Sequence, residues 1–197
     1  MKTFVRLCAI ATAVLLTGCT TTYVSPVEVT RFTGDQPQML GSGPIVVQAG
    51  PGAPADSLEL NVFRDAVARE LQDLGYVVIN GEAPQVAEVT VDMFVEQPGY
   101  SNSPVTVGGG VAGGSYGSGA GVGVGIDLSP KPTERFHREL RVMIKPAQGG
   151  TALWEGRARF AATANSGFAE TQAAATKLAD ALFGGFPGQS GATIEVE

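Results

Sequence analysis

Ala87-Glu88-Val89-Thr90-Val91-Asp92-Met93-Phe94-Val95-Glu96 is where the fold can be read most directly. Ala87, Val89, Val91, Met93 and Val95 alternate with Glu88, Thr90, Asp92, Phe94 and Glu96. Successive side chains of a strand point to opposite faces, so this period of two predicts a strand with one buried and one solvated face. Phe136 to Lys145 alternates likewise, with Leu140, Val142 and Ile144 inward. Ala152 to Phe160 is a third such stretch, with Trp154, Ala158 and Phe160 on one face and Glu155, Arg157 and Arg159 on the other. Gln148-Gly149-Gly150 between the last two is turn chemistry and predicts a hairpin. Val27 to Phe32, Ile45 to Gln48 and the short apolar run Tyr76 to Ile79 read as further strands.

Two segments change period. From Asp56 to Leu74 the apolar residues Leu60, Phe63, Val67, Leu71 and Leu74 recur at helical spacing, with Arg64, Asp65, Arg69, Glu70 and Asp73 off that stripe. Asp56 with Glu59 three residues on resembles a capping box, and Gly75 is suited to end the helix. A second helix is expected from about Ala169 to Phe183, with Ala175, Leu178, Ala179 and Leu182 as its stripe and Gly184, Gly185 and Pro187 as its stop. Helices separated by a run of strands give an α+β expectation: a two-layer sandwich, mostly antiparallel, with both helices on one face. One domain is expected over 27–187, and 188–197 reads as a mobile tail in which Thr193 to Val196 could add a strand.

Between Glu96 and Asp127 lie thirty residues without a charge. Gly108 to Gly125 holds ten glycines in eighteen residues, too many for a membrane-spanning helix, since each costs about 1 kcal/mol against alanine. Gly108-Gly109-Gly110-Val111-Ala112-Gly113 fits a dinucleotide-binding spacing, but no helix opens after it, and no Gly-Lys-Ser/Thr follows to cradle a phosphate. Val122, Val124, Ile126 and Leu128 alternate with small or polar residues, and Val105 and Val107 can start a partner strand. The segment, about 98–121, therefore reads as a hairpin insert with a flexible Gly/Ser tip, with a binding loop as the alternative.

The first residues, Met1-Lys2-Thr3-Phe4-Val5-Arg6, carry two positive charges and no acid, and Leu7 to Leu16 is apolar except for Thr12. That run is shorter than the roughly 20 residues a membrane helix needs and has the length of an export signal. It ends in Leu16-Thr17-Gly18-Cys19, which resembles a bacterial lipobox; on that resemblance Leu16, Thr17 and Gly18 are read by the signal peptidase and Cys19 is acylated. The alternative is an ordinary secretory signal with a chance cysteine. Of the two cysteines, Cys8 would leave with residues 1–18 and Cys19 would carry lipid, so no disulfide is available to the domain. Multiple acyl chains give a stable anchor. Thr20 rather than Asp after Cys19 favours, by resemblance to sorted lipoproteins, the outer membrane. Residues 19–26 read as a short membrane-proximal tether of at most ~25 Å.

Without Lys2 and Arg6 the mature 179 residues hold 11 basic against 19 acidic residues, a net charge of −8. So acidic a chain has no electrostatic reason to bind nucleic acid. His137 is the sole histidine, which excludes a multi-histidine metal site, and it shares parity with Glu139 and Arg141 on a polar strand face. No G-x-S-x-G turn accompanies it. Glu88, Asp92 and Glu96 share a face, but residues four apart on a strand are about 13 Å apart, beyond the reach of a glycosidase pair. They read as solvation and as partners for Arg157 or Arg159. No catalytic, metal-binding or cofactor-binding residue is assigned.

Several motifs recur together: the lipobox, Leu71-Gln72-Asp73-Leu74-Gly75-Tyr76, Ala87-Glu88-Val89-Thr90-Val91-Asp92, the glycine-rich insert, Leu153-Trp154-Glu155-Gly156-Arg157-Ala158, and Phe186-Pro187 after the closing helix. From about Val24 to Pro187 the chain resembles the domain-of-unknown-function 4136 family of small Gram-negative lipoproteins. The resemblance implies an α/β sandwich in the envelope and brings no catalytic residues. The functional expectation is a non-catalytic periplasm-facing lipoprotein with an envelope protein partner. The alternative is a binding module for a small apolar or lipid ligand, held against Phe63, Val67, Trp154 and Leu178.

Overall fold

The first helix, α1, runs Leu58–Asp73. Its N-cap is Ser57, whose hydroxyl accepts from the Leu60 amide at 3.3 Å. The expected Asp56 cap and Asp56/Glu59 capping box are thus shifted by one residue; Glu59 instead sits in the first turn, where its charge opposes the helix dipole favourably. Leu60, Phe63, Val67 and Leu71 are buried, and Gly75 takes the left-handed φ of +101° that ends the helix without a Cβ clash. The second helix, α2, runs Thr171–Phe183 after a single 3-10 turn at Gly167–Ala169, and Ala175, Leu178, Ala179 and Leu182 are fully buried.

These elements come from a computed structural model that describes residues 22–97, 105–114, 117–126 and 133–197. Seven strands form one sheet: β1 (Val27–Thr33), β2 (Gly43–Ala49), β3 (Tyr76–Val78), β4 (Gln85–Glu96), β7 (Arg135–Pro146), β8 (Trp154–Thr163) and β9 (Thr193–Val196). Their order is β3-β2-β4-β7-β8-β1-β9. With two helices on a sheet-rich frame, the chain has the expected α+β character. The sheet is mixed, however: β2 runs parallel to both β3 and β4, because α1 carries the chain across between them. α1 packs on β2, β3 and β4, α2 on β8, β1 and β7, and the helices pack on each other.

Parity on β7 and β8 follows the sequence. Leu140, Val142, Ile144, Trp154, Ala158 and Ala162 are buried together with Val27 and Val29 of β1. The second half of β4 departs from expectation. β2 accompanies it only as far as Ala49 opposite Val89, and Met93, Phe94 and Val95 are 46%, 63% and 40% exposed. Alternation there continues beyond the core that would have buried one parity.

β9 pairs with β1 from Val27↔Val196 to Thr30↔Thr193, and the Gly191 amide donates to the Arg31 carbonyl at 2.8 Å. Thr193 to Val196, which could add a strand to the expected tail, form the edge strand of the sheet. At the other end, the expected tether is docked from Tyr23 onward: Val24 bridges to Ala162, and the Thr163 amide donates to the Tyr23 carbonyl. The glycine-rich insert forms a separate two-stranded sheet of β5 (Val105–Gly114) and β6 (Gly117–Ile126). Its antiparallel ladder runs from Val105↔Ile126 to Gly114↔Gly117, so the described glycines of the expected flexible tip are paired strand, while Ser115 and Tyr116 lie outside the described residues.

Candidate functional site

On β1, β7 and β8 one parity faces the core, and the other parity, continued by the second half of β4, assembles a charged surface. Asp92 of β4, Glu139 of β7, Arg159 of β8 and Glu28 of β1 lie in register as one row across four strands. The adjacent row is Thr90, Arg141, Arg157 and Thr30. Like charges therefore stand directly opposite within each row, Asp92 beside Glu139 and Arg141 beside Arg157, an arrangement that is unfavourable alone. Diagonal contacts relieve it. Arg141 bonds both Asp92 and, at 2.8 Å, Glu139, while Arg157 reaches Glu139 at 3.4 Å. Arg159 donates twice to Glu28, at 2.6 and 2.9 Å, and that hydrogen bond followed by the attraction of the carboxylate holds its pKa above the ordinary value.

A third row adds an aromatic step. Phe94 stands opposite His137 and stacks on it with ring centres 4.3 Å apart, and His137 Nε2 lies 2.9 Å from Glu96. Tyr23 lies beneath the Arg135 guanidinium at 5.1 Å. A cleft of about 420 Å³ lies here, with walls that include Tyr23, Glu28, Asp92, Phe94, His137 and Arg159. Each exposed pair contributes at most about 1 kcal/mol to stability, so the lattice is weakly held and its charges can be re-paired by a ligand surface.

Chemistry at this cleft is limited by how its polar atoms are engaged. Ser25 also lines it, but its hydroxyl donates to the Pro26 carbonyl and accepts from the Ala161 amide at 2.9 Å, so it is not presented to His137 as a nucleophile. Among the described residues no three His, Cys, Asp or Glu side chains converge to hold a metal ion. His137 occupies the polar face expected of it. Glu88, Asp92 and Glu96 share that face but find partners other than Arg157 and Arg159: Glu88 pairs with Lys145 at 2.9 Å, Asp92 with Arg141 and Glu96 with His137. Each of these partners is a diagonal neighbour on β7, two positions beyond the residue directly opposite. Leu16, Thr17, Gly18 and Cys19 lie outside the described residues.

Two arginines point the other way, into the core, Arg31 in step with Val27 and Val29 and Arg138 in step with Leu140, Val142 and Ile144. Arg31 of β1 is 5% exposed and donates to the carbonyls of Leu182, Ala181 and Gly184 at 2.8, 2.8 and 2.7 Å. A cation there satisfies the free carbonyls at the α2 C-terminus and the negative end of its dipole. Arg138 of β7 similarly donates to the Phe168 and Ala169 carbonyls at 3.0 and 2.7 Å. Burial lowers the pKa of both guanidinium groups. Their role is to fix the second helix on the sheet.

The positions expected to line an apolar ligand groove are packed solid. Phe63, Val67, Trp154 and Leu178 have no exposed surface. The Trp154 ring lies over Gly156, stacks on Phe183 with centres 5.4 Å apart, and its Nε1 donates to the Pro187 carbonyl at 2.9 Å.

Residues 46–188 match the model of a family described as domain of unknown function (DUF4136). An uncharacterised protein of Zymomonas mobilis is 48% identical over 46 residues, 23% of this chain and 17% of that protein, so the chain matches only about a sixth of that relative's length. A PDZ domain protein from Parabacteroides distasonis has a similar fold, with a TM-score of 0.50 at 13% identity over 95% of this chain and 41% of the other. PelC from Paraburkholderia phytofirmans, a dodecamer, aligns with a TM-score of 0.40 at 12% identity over 78% of this chain and 91% of its own.

Proposed function

We propose that this chain, which belongs to the DUF4136 family, is an envelope lipoprotein acylated at Cys19 that works by non-catalytic contact with a protein partner. The partner docks on the open face of β1, β4, β7 and β8. In this reading the molecule is a two-layer sandwich with both helices on one side, and the opposite side, bearing the charge lattice, is left for recognition. The outer membrane is the proposed location. With Tyr23 already docked on β8, the four residues 19–22 hold the domain within about 14 Å of the acylated residue.

The observation that carries this reading is the row Asp92–Glu139–Arg159–Glu28 with Phe94 stacked on His137 beside it. Charges of both signs around an exposed aromatic suit specific recognition, because complementary charge sets register and orientation while the aromatic supplies buried area. The competing reading, a binding module for a small apolar or lipid ligand, needs a groove at Phe63, Val67, Trp154 and Leu178, where the core is closed. Site-specific photo-crosslinking in intact cells tests the choice. A photoreactive residue at Phe94 or Arg159 should give discrete protein adducts, and one at Leu58, 82% exposed on α1, should not. The charge reversals Arg141→Glu and Arg159→Glu should abolish the Phe94 adducts at unchanged abundance. Equal adducts from all three positions would remove the open face from consideration.

A further inference from the structure

We propose that the β5–β6 hairpin enters a lipid bilayer as two membrane-spanning strands, with copies of the chain joining hairpin edge to hairpin edge around a closed barrel. The inference goes beyond the docking face and rests on the hairpin's length, charge and register, not on acylation of Cys19.

Each strand has ten residues. At about 3.3 Å per residue, ten residues extend roughly 33 Å, and a barrel tilt of about 40° brings this to ~25 Å, the height of the apolar band of membrane barrels. No charged residue occurs from Gln97 to Ile126, so nothing in either strand has to be carried through hydrocarbon as an ion. The ladder register then sorts the residues sharply. Val105, Val107, Val111, Val122, Val124, Ile126 and Ala120 occupy one parity together with Gly109, Gly113 and Ser118. The other parity holds Thr106, Ala112 and eight glycines. Strands of about ten residues whose large apolar side chains fall on one parity fit the dyad pattern of a membrane barrel.

In water the same hairpin is poorly placed. A two-stranded ladder is marginal by itself, and uncharged edges invite pairing. Among the described residues no other strand pairs with either outer edge. Hydrocarbon does not tolerate unpaired backbone groups, so a single hairpin cannot remain there. A second copy offers the complementary edge: β6 of one chain beside β5 of the next continues the up-and-down order, and repetition closes the ring. The valine parity then meets acyl chains, and the glycine parity lines the interior.

The test uses the full chain reconstituted into vesicles of phosphatidylethanolamine and phosphatidylglycerol with acyl-chain nitroxide quenchers. Single cysteines replace Val105, Val107 and Val111 in turn, and Thr106, Gly108, Gly110 and Ala112 in turn, each labelled with an environment-sensitive fluorophore. Peptide mapping of the label shows separately whether Cys19 is free, so failure of the anchor is distinguishable from failure of the hairpin. Quenching should follow a period of two, several-fold stronger at 105, 107 and 111. The double variant Val107→Asp/Val124→Asp should abolish quenching at 111 while leaving the melting temperature of the seven-stranded body unchanged. Quenching that is absent, or equal at both parities, overturns the proposal. So do hairpin cross-links between copies that form in water without any quenching in vesicles.

Discussion

Gly156 decides how Trp154 lies. A Cβ at 156 would overlap the indole ring and come within 2.8 Å of Leu182 Cδ1, so the residue is small to leave room for the ring. Gly156→Ala should therefore destabilise the fold by about 1–3 kcal/mol through overpacking, seen as a lower melting temperature. An unchanged value would mean that the indole can move aside. Trp154 as a core residue was legible from alternation; the need for glycine two positions on was not, because it depends on which way the ring turns. For Arg31 and Arg138 alternation gives the inward parity but not the partners, which are helix-end carbonyls supplied by a distant part of the chain. A pH dependence belongs at this scale too. The Glu70 carboxyl is held above the usual range, first by burial and then by Asp180 on α2 and Asp73. The folded state thus binds this proton more tightly than the unfolded chain. The group favours folding in acid, and that contribution is lost as pH rises through its raised pKa. Glu70→Gln should melt at a higher temperature than wild type at pH 7, with the gap closing as acid protonates the wild-type carboxyl; a gap constant with pH would exclude the electrostatic cause.

Elements with strong periodicity were legible, and their limits were less so. Asp56 and Ser57 are both good caps, and local sequence does not choose between them; the structure uses Ser57. The parallel pairing of β2 with β3 and β4 is a property of the crossover through α1, not of any one strand's residues. In the insert, glycine's poor strand propensity suggested a loose tip, yet ladder hydrogen bonds are made by backbone and extend to Gly114↔Gly117. β9 is four residues with little to bury, and its place is set by the open edge of β1. Removing residues 189–197 should lower the melting temperature and expose that edge, giving concentration-dependent self-association in size-exclusion chromatography. A tail contributing nothing would leave both measurements as they were.

For the whole molecule, the α+β character was legible because two helical stripes and several alternating strands leave few other arrangements. The charged face was half legible: its residues were identified as polar, but the rows they form depend on strand order and register. The proposed location rests on the reading of residues 1–19, which lie outside the described residues, and the proposed role depends on it. A domain held at a membrane by a short lead can act through a weakly held recognition face, since anchoring raises its local concentration near an equally anchored partner. The most direct measurement is mass spectrometry of the mature N-terminus from purified envelopes, beside a Cys19→Ser variant. The expected result is a chain beginning at Cys19 and carrying a diacylglyceryl group, with the variant unprocessed. A mature terminus at any other residue, or an unmodified Cys19, would contradict it.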